Sequence, residues 1–102
     1  MEIHSRAELD QMLQAEETLL TYFYATWCRF CRVQTPILNL AEQEMSRQMT
    51  VARIDIDQNK DLKAAYEVTG TPTFILFQKG KEVTRHSGIL IKEDLAKLIE
   101  KA

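Results

Sequence analysis

The sequence predicts an α/β protein built on a mixed β-sheet with helices on both faces. Three observations lead there. Apolar residues recur at helical spacing in some segments and run continuously in others. The two kinds of segment alternate along the first half of the chain. The last third holds two strand-like segments, 73–78 and 82–87, joined by a tight turn at Lys79-Gly80. Alternation calls for a parallel sheet, whereas the hairpin must add antiparallel strands.

Taken in order, residues 2–4 are expected to form a short first strand. Ser5 and Glu8 stand in a capping-box pattern, and Leu9, Met12 and Leu13 follow at helical spacing, so 6–15 reads as an amphipathic helix. Residues 18–25, TLLTYFYA, are apolar and aromatic without strict alternation, which marks a strand buried on both faces. From Cys31 to about Arg47, Val33, Ile37, Leu40, Ala41 and Met45 mark one helical face, with Pro36 expected to kink the helix. Residues 50–56 read as a strand, 59–67 as a short helix and 92–102 as a final helix with Leu95, Leu98 and Ile99 on one face.

A chain of 102 residues suits one domain, 1–102, able to bury a core without disulfide or metal staples. A net charge of −2 with scattered basic residues argues against nucleic acid or an anionic membrane surface as a partner. No apolar run approaches the roughly 20 residues that span a bilayer. The first residues, MEIHSRAELDQ, lack a basic run followed by an apolar one, so a cytoplasmic location is expected, where thiols stay reduced.

Both cysteines of the chain fall in ATWCRFCR, residues 25–32. Cys28 and Cys31 sit where a buried strand hands over to a helix. The start of a helix offers unpaired N–H groups and the positive end of the macrodipole, both of which favour a thiolate. Cys28 is therefore expected to be an exposed nucleophile of lowered pKa, with Cys31 shielded about one turn later. Arg29 and Arg32 add positive charge, which salt screens where it is exposed. A zinc site needs four ligands, and beyond the cysteines only His4 and His86 offer ring nitrogens, at no zinc-finger spacing, so no metal is expected. A CxxC beside a βαβ pattern reads as a redox pair.

On these residues the chain resembles the thioredoxin family over nearly its whole length. FYATWCRFC, 23–31, looks like the family's active-site segment, and Pro36 like the proline of its active-site helix. VARIDIDQN, 51–59, and VTGTPTFILFQKGK, 68–81, match further family segments, as do Gly80 and Gly88. The resemblance implies the thioredoxin fold, a five-stranded mixed sheet flanked by four helices. It implies dithiol–disulfide exchange in which Cys28 attacks and Cys31 resolves the mixed disulfide. It also implies a cis Thr71–Pro72 bond, with Trp27, Thr71, Pro72, Gly88 and Ile89 framing a groove for an extended substrate.

The departures from the family pattern share one sign. Arg29-Phe30 replaces the common Gly-Pro between the cysteines. Tyr22 stands where a buried Asp is usual, and a phenol titrating near 10 is a poor base at neutral pH, although its O–H could bond a sulfur. Arg53 aligns with a lysine near that Asp and is expected to lack a carboxylate partner. Thr26 replaces an acidic residue before Trp27, which is expected to pack over the site. With negative charge removed, Arg29, Arg32 and Arg53 are expected to stabilise the Cys28 thiolate and make the dithiol more oxidising. His86 is assigned no role, and Asp55, Asp57 and Asp61 read as solvated helix-start residues.

The reading is a thioredoxin-like protein-disulfide oxidoreductase that needs no cofactor, acts as a monomer on protein disulfides and takes electrons from a thioredoxin-reductase-type donor. One alternative is an interaction module whose cysteines act only as a redox switch. Another is an oxidase or isomerase of an oxidising compartment.

Overall fold

A computed structural model describes residues 1–102. Four helices and four strands follow in the order α1 (Arg6–Ala15), β1 (Thr18–Tyr24), α2 (Arg29–Glu44), β2 (Thr50–Asp55), α3 (Lys60–Ala65), β3 (Thr73–Gln78), β4 (Lys81–Ser87) and α4 (Lys92–Ile99). The sheet order is β2-β1-β3-β4, with β1 parallel to β2 and antiparallel to β3, and β4 antiparallel to β3. The mixed sheet expected from the alternation and the hairpin is present.

The expected fifth strand is not. Residues 2–4 make only one isolated bridge, Glu2 to Arg53, alongside β2. The cause is local. Ser5 already caps α1 by accepting from the Glu8 N–H, and the Glu8 carboxylate takes the His4 N–H at 2.6 Å. The helix cap consumes the residues that a longer strand would need. Ile3 is still buried and its N–H donates to the Arg53 carbonyl, so the segment closes the sheet edge without extending it.

Burial on both sheet faces explains the apolar runs. In β1, Leu19, Thr21 and Phe23 alternate with Leu20 and Tyr22, and all five are buried. One core gathers Leu9, Met12, Leu19, Phe23, Ile54, Leu62 and Ile75. The other gathers Leu20, Tyr22, Leu38, Ala41, Phe74, Leu76, Leu95 and Leu98. The β3–β4 turn is Lys79-Gly80, both at positive φ (52° and 81°), the mirror-image turn that matches strand twist.

Helix α2 corrects the expected face. Its buried residues are Cys31, Gln34, Leu38 and Ala41, followed by Met45 at its C-cap. Val33 and Leu40 instead face solvent, at 50% and 58% exposure. Leu40 and Ala41 are adjacent and so cannot share one stripe, and the sheet selects the stripe that also carries Cys31. Pro36 lies inside α2 with its ring exposed, where it cannot donate to the Arg32 carbonyl one turn earlier.

Two leucines therefore test the register of α2. Leu38→Ala should cost about 2–5 kcal/mol in urea unfolding, whereas Leu40→Ala should stay within about 0.5 kcal/mol. Equal costs at the two positions would mean that the helix is rotated from the orientation described.

Candidate active site

Strand register assembles the site. The pairing of Phe23 with Thr73 runs the exit of β1 beside the entry of β3, bringing Thr71 and Pro72 next to the segment that leads into α2. The pairing of Tyr24 with Asp55 places Asp57 beside Trp27. The pairing of Thr73 with Ser87 sets Gly88 beside Pro72, and the Gly88 N–H donates to the Pro72 carbonyl at 2.8 Å. Gly88 has φ 103°, a backbone region that side chains avoid. The Thr71–Pro72 bond is cis, as the resemblance implies.

Cys28 is the N-cap of α2 and its sulfur accepts the Cys31 N–H at 3.3 Å. A sulfur thus takes the place usually held by Ser, Thr, Asp or Asn oxygen. The two cysteines are free and stand 2.8 Å apart. The Cys28 thiol also donates to the Thr71 carbonyl at 3.5 Å. Contrary to expectation, Cys28 is not broadly exposed: at 5% it is nearly as buried as Cys31 at 3%. The surrounding Trp27, Phe30 and Ile89 rise above it, at 65%, 59% and 37% exposure.

The two thiols are driven apart in acidity. Burial pushes Cys28 up, but hydrogen bonds from the Cys31 and Thr71 side chains and from the Cys31 and Phe30 backbone amides outweigh it and leave the pKa lowered. Cys31 is raised, mainly by burial and by its bond to Cys28. The helix-start amides contribute to the lowered Cys28 as expected, together with the Cys31 and Thr71 side chains, whereas the side chains of Arg29 and Arg32 stand in solvent.

Arg53 is also corrected. Its guanidinium is not a lone cation: Nη2 donates to Glu42 Oε1 at 2.7 Å and to Asn39 Oδ1 at 2.8 Å. Those partners lie on α2 roughly 12 Å or more along the axis from Cys31. Tyr22 lies beneath the helix, and its O–H donates to the Cys31 carbonyl at 3.3 Å and pairs with Thr35 Oγ1 at 3.1 Å. Burial, against a smaller downward pull from the Thr35 bond, pushes Tyr22 up to about 12, which removes it further from use as a base.

Trp27 does not pack down into the core. Its ring is exposed and the indole N–H donates to Asp57 Oδ2 at 2.7 Å. Asp57 is thus a site residue that the sequence reading placed among solvated acids. Asp55, in contrast, is buried and not solvated: its carboxylate accepts the N–H groups of Asp57 and Gln58. The DID pattern after a buried strand carried this signal, since a turn acid often bonds the backbone two residues on.

The comparisons with known proteins agree with this geometry. The Thioredoxin family model matches residues 1–101. The chain belongs to the thioredoxin family. A thioredoxin of Mycoplasmoides gallisepticum is 34% identical over 98 residues, covering 96% of this chain and 97% of that one. A mutant thioredoxin from Halobacterium salinarum superposes with a TM-score of 0.91 at 33% identity, over 98% of this chain and 87% of the other. A bifunctional thioredoxin reductase/thioredoxin of Mycobacterium leprae is 34% identical over 88 residues, 86% of this chain and 19% of that protein. The fold is the thioredoxin fold with a four-stranded mixed sheet, and the activity is thiol–disulfide oxidoreduction. No helix is long and apolar enough to cross a membrane.

The source of Cys28 acidity can be measured. Thiolate absorbance against pH should place Cys28 below the ordinary 9.0 and leave Cys31 protonated until higher pH. Below its pKa, Cys28 loses thiolate about tenfold per pH unit, so alkylation should slow in that order. Cys31→Ala should raise the Cys28 pKa, whereas Arg29→Gln with Arg32→Gln should hardly move it. The reverse pattern would return control to the arginines.

Proposed function

We propose that this protein reduces and exchanges disulfides in protein substrates, with Cys28 as nucleophile and Cys31 as resolving thiol. The observation that supports it best is the opposite displacement of two adjacent thiols at one helix start. The Cys28 thiolate attacks one sulfur of the substrate disulfide, and the other sulfur leaves as a thiolate and takes a proton. Cys31 then loses its proton and attacks the Cys28 sulfur. The Cys28–Cys31 disulfide forms and the second substrate thiol is released, so that two electrons have passed to the substrate.

Exposed Trp27, Phe30 and Ile89 around a buried sulfur suit an apolar protein segment better than a small hydrophilic disulfide. Trp27, Thr71, Pro72, Gly88 and Ile89 frame the groove in this reading. An extended substrate strand would pair with the backbone of Thr71. The chain acts as one cytoplasmic domain and a monomer. A reductase of the thioredoxin-reductase type returns the two electrons, a role suggested by the fused reductase of the mycobacterial relative. Arg29 and Arg32 add a screened contribution to thiolate stability. A stabilised thiolate favours the reduced form, so the reduction potential should lie above the about −270 mV typical of thioredoxin.

Insulin reduction with dithiothreitol tests the assignment. Cys28→Ser should lose the activity by about a thousandfold or more. Cys31→Ser should accumulate covalent mixed disulfides with its substrates. A Cys28→Ser protein that holds the same partners as wild type would favour a binding module instead. Equilibration with glutathione checks the poise, and a potential at or below that of an ordinary thioredoxin would remove the oxidising reading.

A further inference from the structure

Gln34 is a polar residue in an apolar place. It is fully buried on the face of α2 that also carries Cys31, one turn earlier, and Leu38, one turn later. An unpaired amide there would be costly, and this one is satisfied at both ends by a single residue. Its Nε2 donates to the Leu90 carbonyl at 2.9 Å, and the Leu90 N–H donates to its Oε1 at 2.6 Å. The side chain thus binds one backbone residue as a neighbouring strand would, with one donor and one acceptor.

Leu90 lies in the connection between β4 and α4. That connection begins at Gly88, whose N–H is held by the Pro72 carbonyl, and ends at Ile91, whose carbonyl accepts the first turns of α4. Between those two points the Gln34 amide supplies the backbone bonds. The segment it holds carries Gly88 and Ile89, one wall of the groove, while the other wall is the helix start that carries Cys28.

We propose that Gln34 is a positioning residue that locks the Gly88–Leu90 wall to the helix bearing both cysteines, setting groove width for a protein substrate. This rests on the assignment of protein disulfides as substrates. A buried apolar residue could fill the same volume beside Leu38 and Leu90, but it would leave both backbone groups of Leu90 unpaired, whereas the amide has the donor and the acceptor they need. Gln34 touches neither sulfur through a hydrogen bond, so it acts on the substrate's placement and not on thiol chemistry. The stripe 31-34-38-41-45 would have exposed it in the sequence, as the one amide among buried positions.

The test compares wild type with Gln34→Met, which keeps length and unbranched shape but makes neither bond. Steady-state reduction of insulin, reaction with hydroxyethyl disulfide, Cys28 alkylation against pH and hydrogen exchange at the Leu90 amide are measured together. Gln34→Met should raise KM for insulin by about tenfold with kcat little changed. It should leave hydroxyethyl disulfide and the Cys28 pH curve as in wild type, with faster exchange at Leu90. Gln34→Leu, which also makes neither bond, is read by the same criteria should Gln34→Met not fold. Faster exchange with an unchanged insulin KM overturns the proposal, as do equal losses on both disulfides. A wild-type protein with no preference for insulin over hydroxyethyl disulfide overturns the protein-substrate reading and the groove role together. A preference kept in the variants overturns the role of Gln34 alone.

Discussion

The site depends on one sulfur being an N-cap. Cys28 leaves β1 in extended conformation and accepts the Cys31 N–H at the first turn of α2. That single contact orients the Cys28 sulfur, satisfies a helix donor and contributes to the lowered pKa of the thiol. A charged sulfur accepts a more strongly polarised bond than a neutral one, so the same contact that closes the helix favours the thiolate. The spacing to Cys31 follows, because the residue whose N–H reaches an N-cap side chain is the third one on. CxxC is therefore a capping motif as much as a redox motif.

The sheet then does what the helix cannot. Three strand pairs bring the ends of distant segments to one rim: Asp57 through β2, Thr71 and Pro72 through β3, and Gly88 through β4. Each of these residues lies within a few positions of a strand end, so its place is set by register and not by flexible loop geometry. Burial of β1 and β3 on both faces makes register expensive to shift, since a one-residue slip would exchange the two cores.

Electrostatics in this protein works through short contacts. The conspicuous cations around the cysteines stand in water or, for Arg53, are spent on Glu42 and Asn39. The acidity of Cys28 comes from short hydrogen bonds with Cys31, Thr71 and the Phe30 amide, and the reluctance of Cys31 mainly from burial. Tyr22, in the space below, braces the Cys31 carbonyl and Thr35 and is too weak an acid to exchange protons at neutral pH. Charge counted along a sequence weighs every residue equally, whereas solvent screening does not.

Local pattern was enough for much of this protein. The order of the four helices, the buried strands, the Lys79-Gly80 turn and the redox pair were all legible, because propensity, capping and spacing are properties of neighbouring residues, while the cis Thr71–Pro72 bond was legible only through the resemblance to the thioredoxin family. Tertiary packing decided the rest. Two apolar stripes compete on α2, and only the sheet beneath could select the one through Cys31, Gln34 and Leu38 over Val33 and Leu40. The Ser5 cap, not the apolar content of residues 2–4, limited the first strand to a bridge. The partners of Arg53, Trp27 and Gln34 lie 11, 30 and 56 positions away in the chain. Contacts at that separation exist only once the sheet has closed, and no local rule contains them.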